Sequence, residues 1–290
     1  MSNLKGLGVA LVTPFNEDLS VDFDSLTKLV DFNIKNGTNY LVVLGTTAEA
    51  ATLSSEEKKA VTEHIIKVNN NRLPLVLGIG GNDTMDVKKQ IEEADLSPFD
   101  AVLSVSPYYN RPNQEGLYQH YKVLAGTGKQ IIIYNVPSRT GQNVEASTTV
   151  RLAKEFPNLF MIKEAASNIN QYFDILRQKP EHFNLVSGDD EFTLPVTLAG
   201  GNGVISVIGQ GYPKEFSTMV QLAFDGKVKE AYEIHNKLVD ITRLIFAEGN
   251  PAGIKTILAE LGIVKNYVRL PLVVASTGLQ DKIKAEMAKI

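Results

Sequence analysis

Eight times along the chain a short run of β-branched and apolar residues is followed by a segment of helical period, and this alternation constrains the fold more than any other feature. The strand runs are GVALVTP, YLVVLGTT, LVLGIGG, AVLSVSP, IIIYNVP, LFMIKEA, NLVSGDD and GVISVIG. Such near-continuous apolar runs suit strands covered on both faces, and the helical segments supply the crossovers that parallel strands require. Gly and Pro cluster at the strand-to-helix joins, as turn chemistry demands. After the second strand Ser54 is placed to cap a helix and Glu57 to answer it from the third position, and a comparable helix opens at NQEGLYQHYKVLA after the fourth. Eight βα units in about 225 residues predict an α/β chain folded as a (β/α)8 TIM barrel, with an open doubly wound sheet as the lesser alternative. Strand signals stop near Gly226, and KVKEAYEIHNKLVDITRLIFAE, AGIKTILAELG and KIKAEMAKI read as helices. The expected organisation is a catalytic barrel over residues 1–225 and a C-terminal helical region over 226–290, packed on the barrel or on a neighbouring subunit.

Charge and composition narrow the partners. The 29 basic and 33 acidic residues contain no run of like charge, so neither nucleic acid nor an anionic membrane has an electrostatic footprint to bind. Small metabolites are the natural partners. The absence of cysteine excludes disulfide and thiolate chemistry, and no signal-peptide pattern or 18-residue apolar run is present. A cytoplasmic protein is expected.

In a barrel of this kind the chemistry sits at the carboxyl ends of the strands. Those ends carry Gly45, Thr46 and Thr47; Tyr108, Tyr109 and Asn110; Tyr134 and Asn135; Lys163 and Glu164; and Gly188, Asp189 and Asp190. Singly, each has an ordinary explanation, since Thr and Tyr favour strands and Asp or Asn often caps the next helix. Jointly they gather hydroxyls, phenols and one amine at corresponding positions. Lys163 is the least ordinary, because it ends an apolar run, LFMI, that suits a fully buried strand, and lysine is seldom buried without a partner or a purpose. Burial disfavours an ammonium, and the free amine of a desolvated lysine attacks carbonyls to form a Schiff base. The protonated imine is an electron sink that acidifies the adjacent carbon. Protons must reach and leave the carbinolamine, and Tyr134 with Thr46 would carry them. Glu164 has no assigned role beyond that of a structural charge partner.

Other chemistries fit less well. His64, His120 and His182 fall on outer helices or a helix-to-strand loop and His235 in the C-terminal region, so they form neither a zinc cluster nor a His/Ser pair. Asp189, Asp190 and Glu191 read as a helix N-terminus. GIGGND and GTGK match neither a dinucleotide fingerprint nor a P-loop, and no clear phosphate loop near the last two strands supports pyridoxal phosphate.

GTTAEAATLSSEEK, PYYNRPNQEGLYQHY, YNVPSRTG, IKEA, SGDD and GVISV, in this order, resemble the dihydrodipicolinate synthase and N-acetylneuraminate lyase family of pyruvate-dependent class I aldolases. The resemblance runs from GVALVTPF to RLPL at 269–272. It implies a (β/α)8 barrel with helical C-terminal region, a homotetramer built from two tight dimers, and no cofactor or metal, since pyruvate itself becomes the electrophile. By matching motif, Lys163 would form the imine and Tyr134 would be the central proton carrier. Thr46 would link Tyr134 to Tyr109, which reaches in from the neighbouring subunit. Thr47 would hold the pyruvate carboxylate, Gly188 and Ile205 would line the pocket, and Arg139 would meet the carboxylate of the second substrate. The pairing of GTT with SRTG implies the branch that condenses pyruvate with L-aspartate 4-semialdehyde in lysine biosynthesis, the alternative being a sugar-acid aldolase such as N-acetylneuraminate lyase or a keto-deoxy acid aldolase.

Two departures from the family pattern carry expectations. Ala48 stands where the family commonly has glycine, so a local adjustment of the backbone is expected. At the cleft where lysine inhibits some relatives, Asn82 and Tyr108 match, but Ser55 and Lys58 replace frequent histidines and Asp86 replaces a longer glutamate. A cationic Lys58 would disfavour a cationic effector, so weak or absent inhibition by lysine is expected.

Overall fold

The computed structural model describes residues 4–290. Its eight strands are β1 (Gly6–Ala10), β2 (Tyr40–Val43), β3 (Leu75–Gly78), β4 (Ala101–Val105), β5 (Ile131–Asn135), β6 (Leu159–Glu164), β7 (Asn184–Ser187) and β8 (Gly203–Ser206). They follow chain order around a closed barrel, as the eightfold alternation predicts. The helices are α1 (Phe23–Lys35), α2 (Ser55–Asn69), α3 (Thr84–Glu93), α4 (Gln114–Ala125), α5 (Pro137–Thr140), α6 (Ala146–Glu155), α7 (Ile169–Gln178), α8 (Thr193–Leu198), α9 (Pro213–Phe224), α10 (Val228–Phe246), α11 (Ala252–Glu260) and α12 (Thr277–Met287). From α10 onward the described chain is helical, without a strand. Among the described residues no helix is long and apolar enough to cross a membrane.

Helix starts follow local capping chemistry. Ser54 and Glu57 form the reciprocal box anticipated for α2, the Ser54 hydroxyl accepting from Glu57 N and the Glu57 carboxylate from Ser54 N. Asp22, Asp83 and Asn113 accept from first-turn amides of α1, α3 and α4 in the same way.

The chain forms two compact units. In the unit made of Gly6–Leu73 and Ser206–Ile290, β1 and β2 pair in parallel with Gly8 opposite Tyr40. A Cβ on Gly8 would lie 2.2 Å from the buried Tyr40 ring, so only glycine admits this pairing. The Gln210 side chain accepts from Val12 N at 2.9 Å and donates to Ala10 O at 3.0 Å, satisfying backbone groups at the carboxyl end of β1. In the unit made of Pro74–Ile205 with Leu4 and Lys5, β3 to β7 pair in sequence and β7 meets β8 at Ser187 and Val204. Ile131–Ile133, Leu159–Ile162, Leu185 and Val186 are buried and form its core.

Candidate active site

Strand β6 is buried along its whole length, Lys163 included, at only 5 % exposure. Its register sets Lys163 opposite Tyr134 on β5 and Val186 on β7. Side chains alternate along strands, so Lys163 and Tyr134 share one face and Glu164 and Asn135 the other. The Lys163 Nζ lies 4.3 Å from the centroid of the Tyr134 ring. Among the described residues no carboxylate lies within ion-pair distance of that amine. Gly188 makes room for it: a Cβ there would fall 2.9 Å from Lys163 Cε, 3.0 Å from its Cγ and 2.7 Å from Ala165 Cβ. Ile205, on β8, is fully buried. A buried amine without a counter-ion, held against a phenol, is a geometry suited to covalent attack on a carbonyl.

On the opposite face of the same two strands lies a polar array that the sequence reading missed. Both Glu164 oxygens accept from Asn135 Nδ2, at 2.9 and 3.0 Å, while Gln171 Nε2 and Ala166 N add bonds of 2.8 Å each. The charge partner expected for Glu164 is replaced by amides, because β5 and α7 present Asn135 and Gln171 there and no cation among the described residues reaches it. Burial raises the Glu164 carboxyl to about 7, with the bonds from Asn135 and Gln171 opposing the rise. A group whose folded value is raised contributes stability that is complete below its ordinary value of 4.5 and is lost as pH rises through about 7. Thermal melts of wild type and Glu164→Gln between pH 5 and 8 should therefore diverge with rising pH in favour of the variant; parallel curves would contradict this assignment.

The loops after β4 and β5 carry the arginine and tyrosine candidates. Arg139 is exposed on the single turn α5, which Gly141 closes in the left-handed region at φ 73°. Tyr109 is 90 % exposed and adopts φ 72°, a strained conformation for a bulky residue. Arg111, which the sequence reading did not single out, packs its stem beside Gly141, with Cδ 3.5 Å from where a Cβ would sit. A second guanidinium thus belongs to the neighbourhood of the SRTG turn. Tyr108, Asn82 and Asp86 are exposed, with Asn82 O accepting from Asn110 and Asp86 from Gln90. A cavity of about 470 Å³ bordered by Asp95, Phe99, Asp100 and Lys129 lies at the amino ends of β4 and β5, away from the carboxyl-end residues that carry the candidate chemistry.

The GTT loop belongs to the other unit. Thr46 opens a 3-10 turn, Thr46–Ala48, with its side chain exposed, whereas Thr47 is buried and its Oγ1 accepts from Asn250 Nδ2 at 2.9 Å. The left-handed positions are Leu44 at φ 56° and Glu49 at φ 55°, not Ala48 between them. Alanine therefore fits here without a left-handed backbone. Glu49 in turn is held from beneath: Lys255 Nζ donates to it at 2.6 Å and Arg269 N at 2.9 Å. Burial pulls Lys255 down to about 8 against the opposing charge of Glu49, and the Arg269 guanidinium holds Glu57 down at about 2. Neither Asn250 nor Lys255 was singled out from sequence; the signal available was a lysine inside the apolar segment AGIKTIL. Ser55 and Lys58 sit on the first turn of α2, Ser55 exposed and Lys58 partly covered.

A family model described as the dihydrodipicolinate synthetase family matches residues 3–290. A 4-hydroxy-tetrahydrodipicolinate synthase of Flavobacterium psychrophilum is 55 % identical over 279 residues, covering 96 % of this chain and 95 % of that protein. The enzyme of the same name from Parabacteroides distasonis is 50 % identical, covering 99 % and 97 %. Among solved structures, the chloride-inhibited dihydrodipicolinate synthase of Acinetobacter baumannii complexed with pyruvate superposes with a TM-score of 0.95 at 38 % identity, over 99 % of this chain and 98 % of that one.

Proposed function

Because the chain belongs to the dihydrodipicolinate synthetase family, we propose that it catalyses the 4-hydroxy-tetrahydrodipicolinate synthase reaction, joining pyruvate to L-aspartate 4-semialdehyde through a lysine Schiff base. The observation that carries the reading is Lys163 itself, buried, without a counter-ion and 4.3 Å from the Tyr134 ring. Lys163 Nζ adds to C2 of pyruvate and the resulting carbinolamine loses water to give the iminium. Loss of a proton from C3 yields the enamine, whose C3 then bonds to the aldehyde carbon of the semialdehyde. The amine of that second substrate attacks C2, closes the ring and expels Lys163 as the free amine, so one water leaves per turnover. Each step moves a proton, and we assign Tyr134 to carry it, with Thr46 and Tyr109 of a neighbouring copy as its relay.

Thr47, steadied by Asn250, holds the pyruvate carboxylate, and Arg139 pairs with the carboxylate of the semialdehyde as a planar bidentate donor. The exposure and positive φ of Tyr109 support its service to a second copy, and a homotetramer of two tight dimers is the assembly we assign, in the cytoplasm. Borohydride reduction in the presence of pyruvate, followed by mass spectrometry, tests the reading: the adduct belongs on Lys163, and its absence overturns the reading. With pyruvate present, kcat/KM for aspartate 4-semialdehyde should exceed that for N-acetylmannosamine; the reverse order would make the chain a sugar-acid aldolase.

Regulation by lysine is expected to be weak. Lys58 stands among the residues matched to the effector cleft and repels a cationic ligand. Steady-state assays should show little inhibition below millimolar lysine, and strong inhibition at lower concentrations would refute the placement of Lys58 there.

A further inference from the structure

We propose that Glu164 is a positioning residue for the Schiff-base lysine, its ionised carboxylate locking β5 to β6 at the level where Tyr134 meets Lys163. The inference rests on the reading that Lys163 forms the imine. Tyr134 and Lys163 are register partners, and the next pair along, Asn135 and Glu164, are joined side chain to side chain on the opposite face. The clasp therefore lies one residue beyond the reacting pair on both strands. It is reinforced by Ala165 N donating to Asn135 O at 2.9 Å and Gly188 N donating to Glu164 O at 2.6 Å, which tie β5, β6 and the end of β7 together.

The array is polarised toward an ionised carboxylate. Val144 N donates to Asn135 Oδ1 at 2.9 Å, which obliges Asn135 to turn its NH2 to Glu164. Gln171 Nε2 also donates to Val144 O, and Gln171 Oε1 accepts from Asn143 Nδ2, so its NH2 is likewise committed. With Ala166 N, every neighbour in hydrogen-bond contact with the carboxyl is a donor. A protonated Glu164 must aim an O–H at one of these donors and lose that contact. Around it, Asn135 on β5, Asn143 and Val144 before α6 and Gln171 on α7 do not titrate. Among the described residues, the titratable group that interacts with it from a packed element is Tyr172 on α7, kept neutral because burial raises its phenol. Protonation of Glu164 below about pH 7 therefore loosens the clasp locally, even though it relieves the desolvation cost that the buried carboxylate imposes on the fold as a whole.

The test uses the full-length Glu164→Gln variant. The variant should fold and still be trapped on Lys163 by pyruvate and borohydride. Its kcat should fall about 10- to 100-fold with KM for pyruvate little changed, as expected when reacting groups are displaced by up to about 1 Å. The acidic limb of its kcat profile near pH 7 should flatten. A folded, trapped variant with kcat within about twofold of wild type and an unmoved acidic limb overturns the inference, whereas wild type that is never trapped overturns the imine reading instead. Should Glu164→Gln not fold, Gln171→Met keeps the carboxylate and the Asn135 clasp while removing one donor. Its acidic limb should move to higher pH, and a limb that stays in place overturns the inference.

Discussion

Lys163→Ala should fold normally and lose at least about 10³-fold of kcat, because the covalent intermediate cannot form and no other amine occupies its place. Lys163→Arg should be equally inactive, since a guanidinium keeps charge where the lysine stood but does not form an imine. Tyr134→Phe separates attack from proton transfer: it should still be trapped by pyruvate and borohydride while turning over far more slowly. The reason is spatial. Lys163 is walled by Ala165 and the bare Gly188, and among the described residues the titratable ring that packs against its amine is that of Tyr134. Steady-state rates together with intact-mass analysis of the trapped protein check all three variants. A Lys163→Ala enzyme within about tenfold of wild type would end the covalent reading.

Lys255→Met should produce the largest loss of stability. Both side chains of the Lys255–Glu49 pair are wholly buried, and the ammonium is completed by a bond of 2.7 Å to Tyr267 O. Desolvating both charges makes the intact pair a poor source of net stability, but removing one partner strands the other. Without Lys255 the Glu49 carboxylate keeps only Arg269 N, at a cost of roughly 3–5 kcal/mol, or on the order of 10 °C in Tm for a chain of this size. Replacing Glu49 by Leu in the same protein should recover part of the loss, because the stranded charge is then gone. Differential scanning of the two variants measures it, and a Lys255→Met Tm within about 2 °C of wild type would contradict the burial of the pair. The effect should also reach the GTT loop, since Glu49 is the left-handed residue that ends the Thr46–Ala48 turn.

Local patterning explains why the candidate nucleophile was readable and its support was not. An apolar run ending in lysine marks a buried amine at a strand end whatever the rest of the chain does, and Tyr134 follows from the same count on the preceding strand. The capping box at Ser54 and Glu57 is equally local. Asn250 on Thr47 Oγ1 and Lys255 on Glu49 join residues 203 and 206 positions apart, and no spacing rule spans such a distance. The misreading of Glu164 has the same origin: a lone glutamate suggests a cation, whereas the fold supplied Asn135 and Gln171 from 29 and 7 positions away.

By itself, the sequence determined the eightfold βα alternation, the closed barrel it implies, the strand-end position of Lys163 and the family to which its motifs belong. These depend on periodicity and on short motifs, which are encoded within a few residues of each other. Only the tertiary structure decided that Glu164 faces amides rather than a cation, that Glu49 takes the left-handed conformation, and that Lys255 lies beneath the GTT loop. Those outcomes depend on which distant side chains share a desolvated space, where an unmatched donor or charge is costly enough to select its partner.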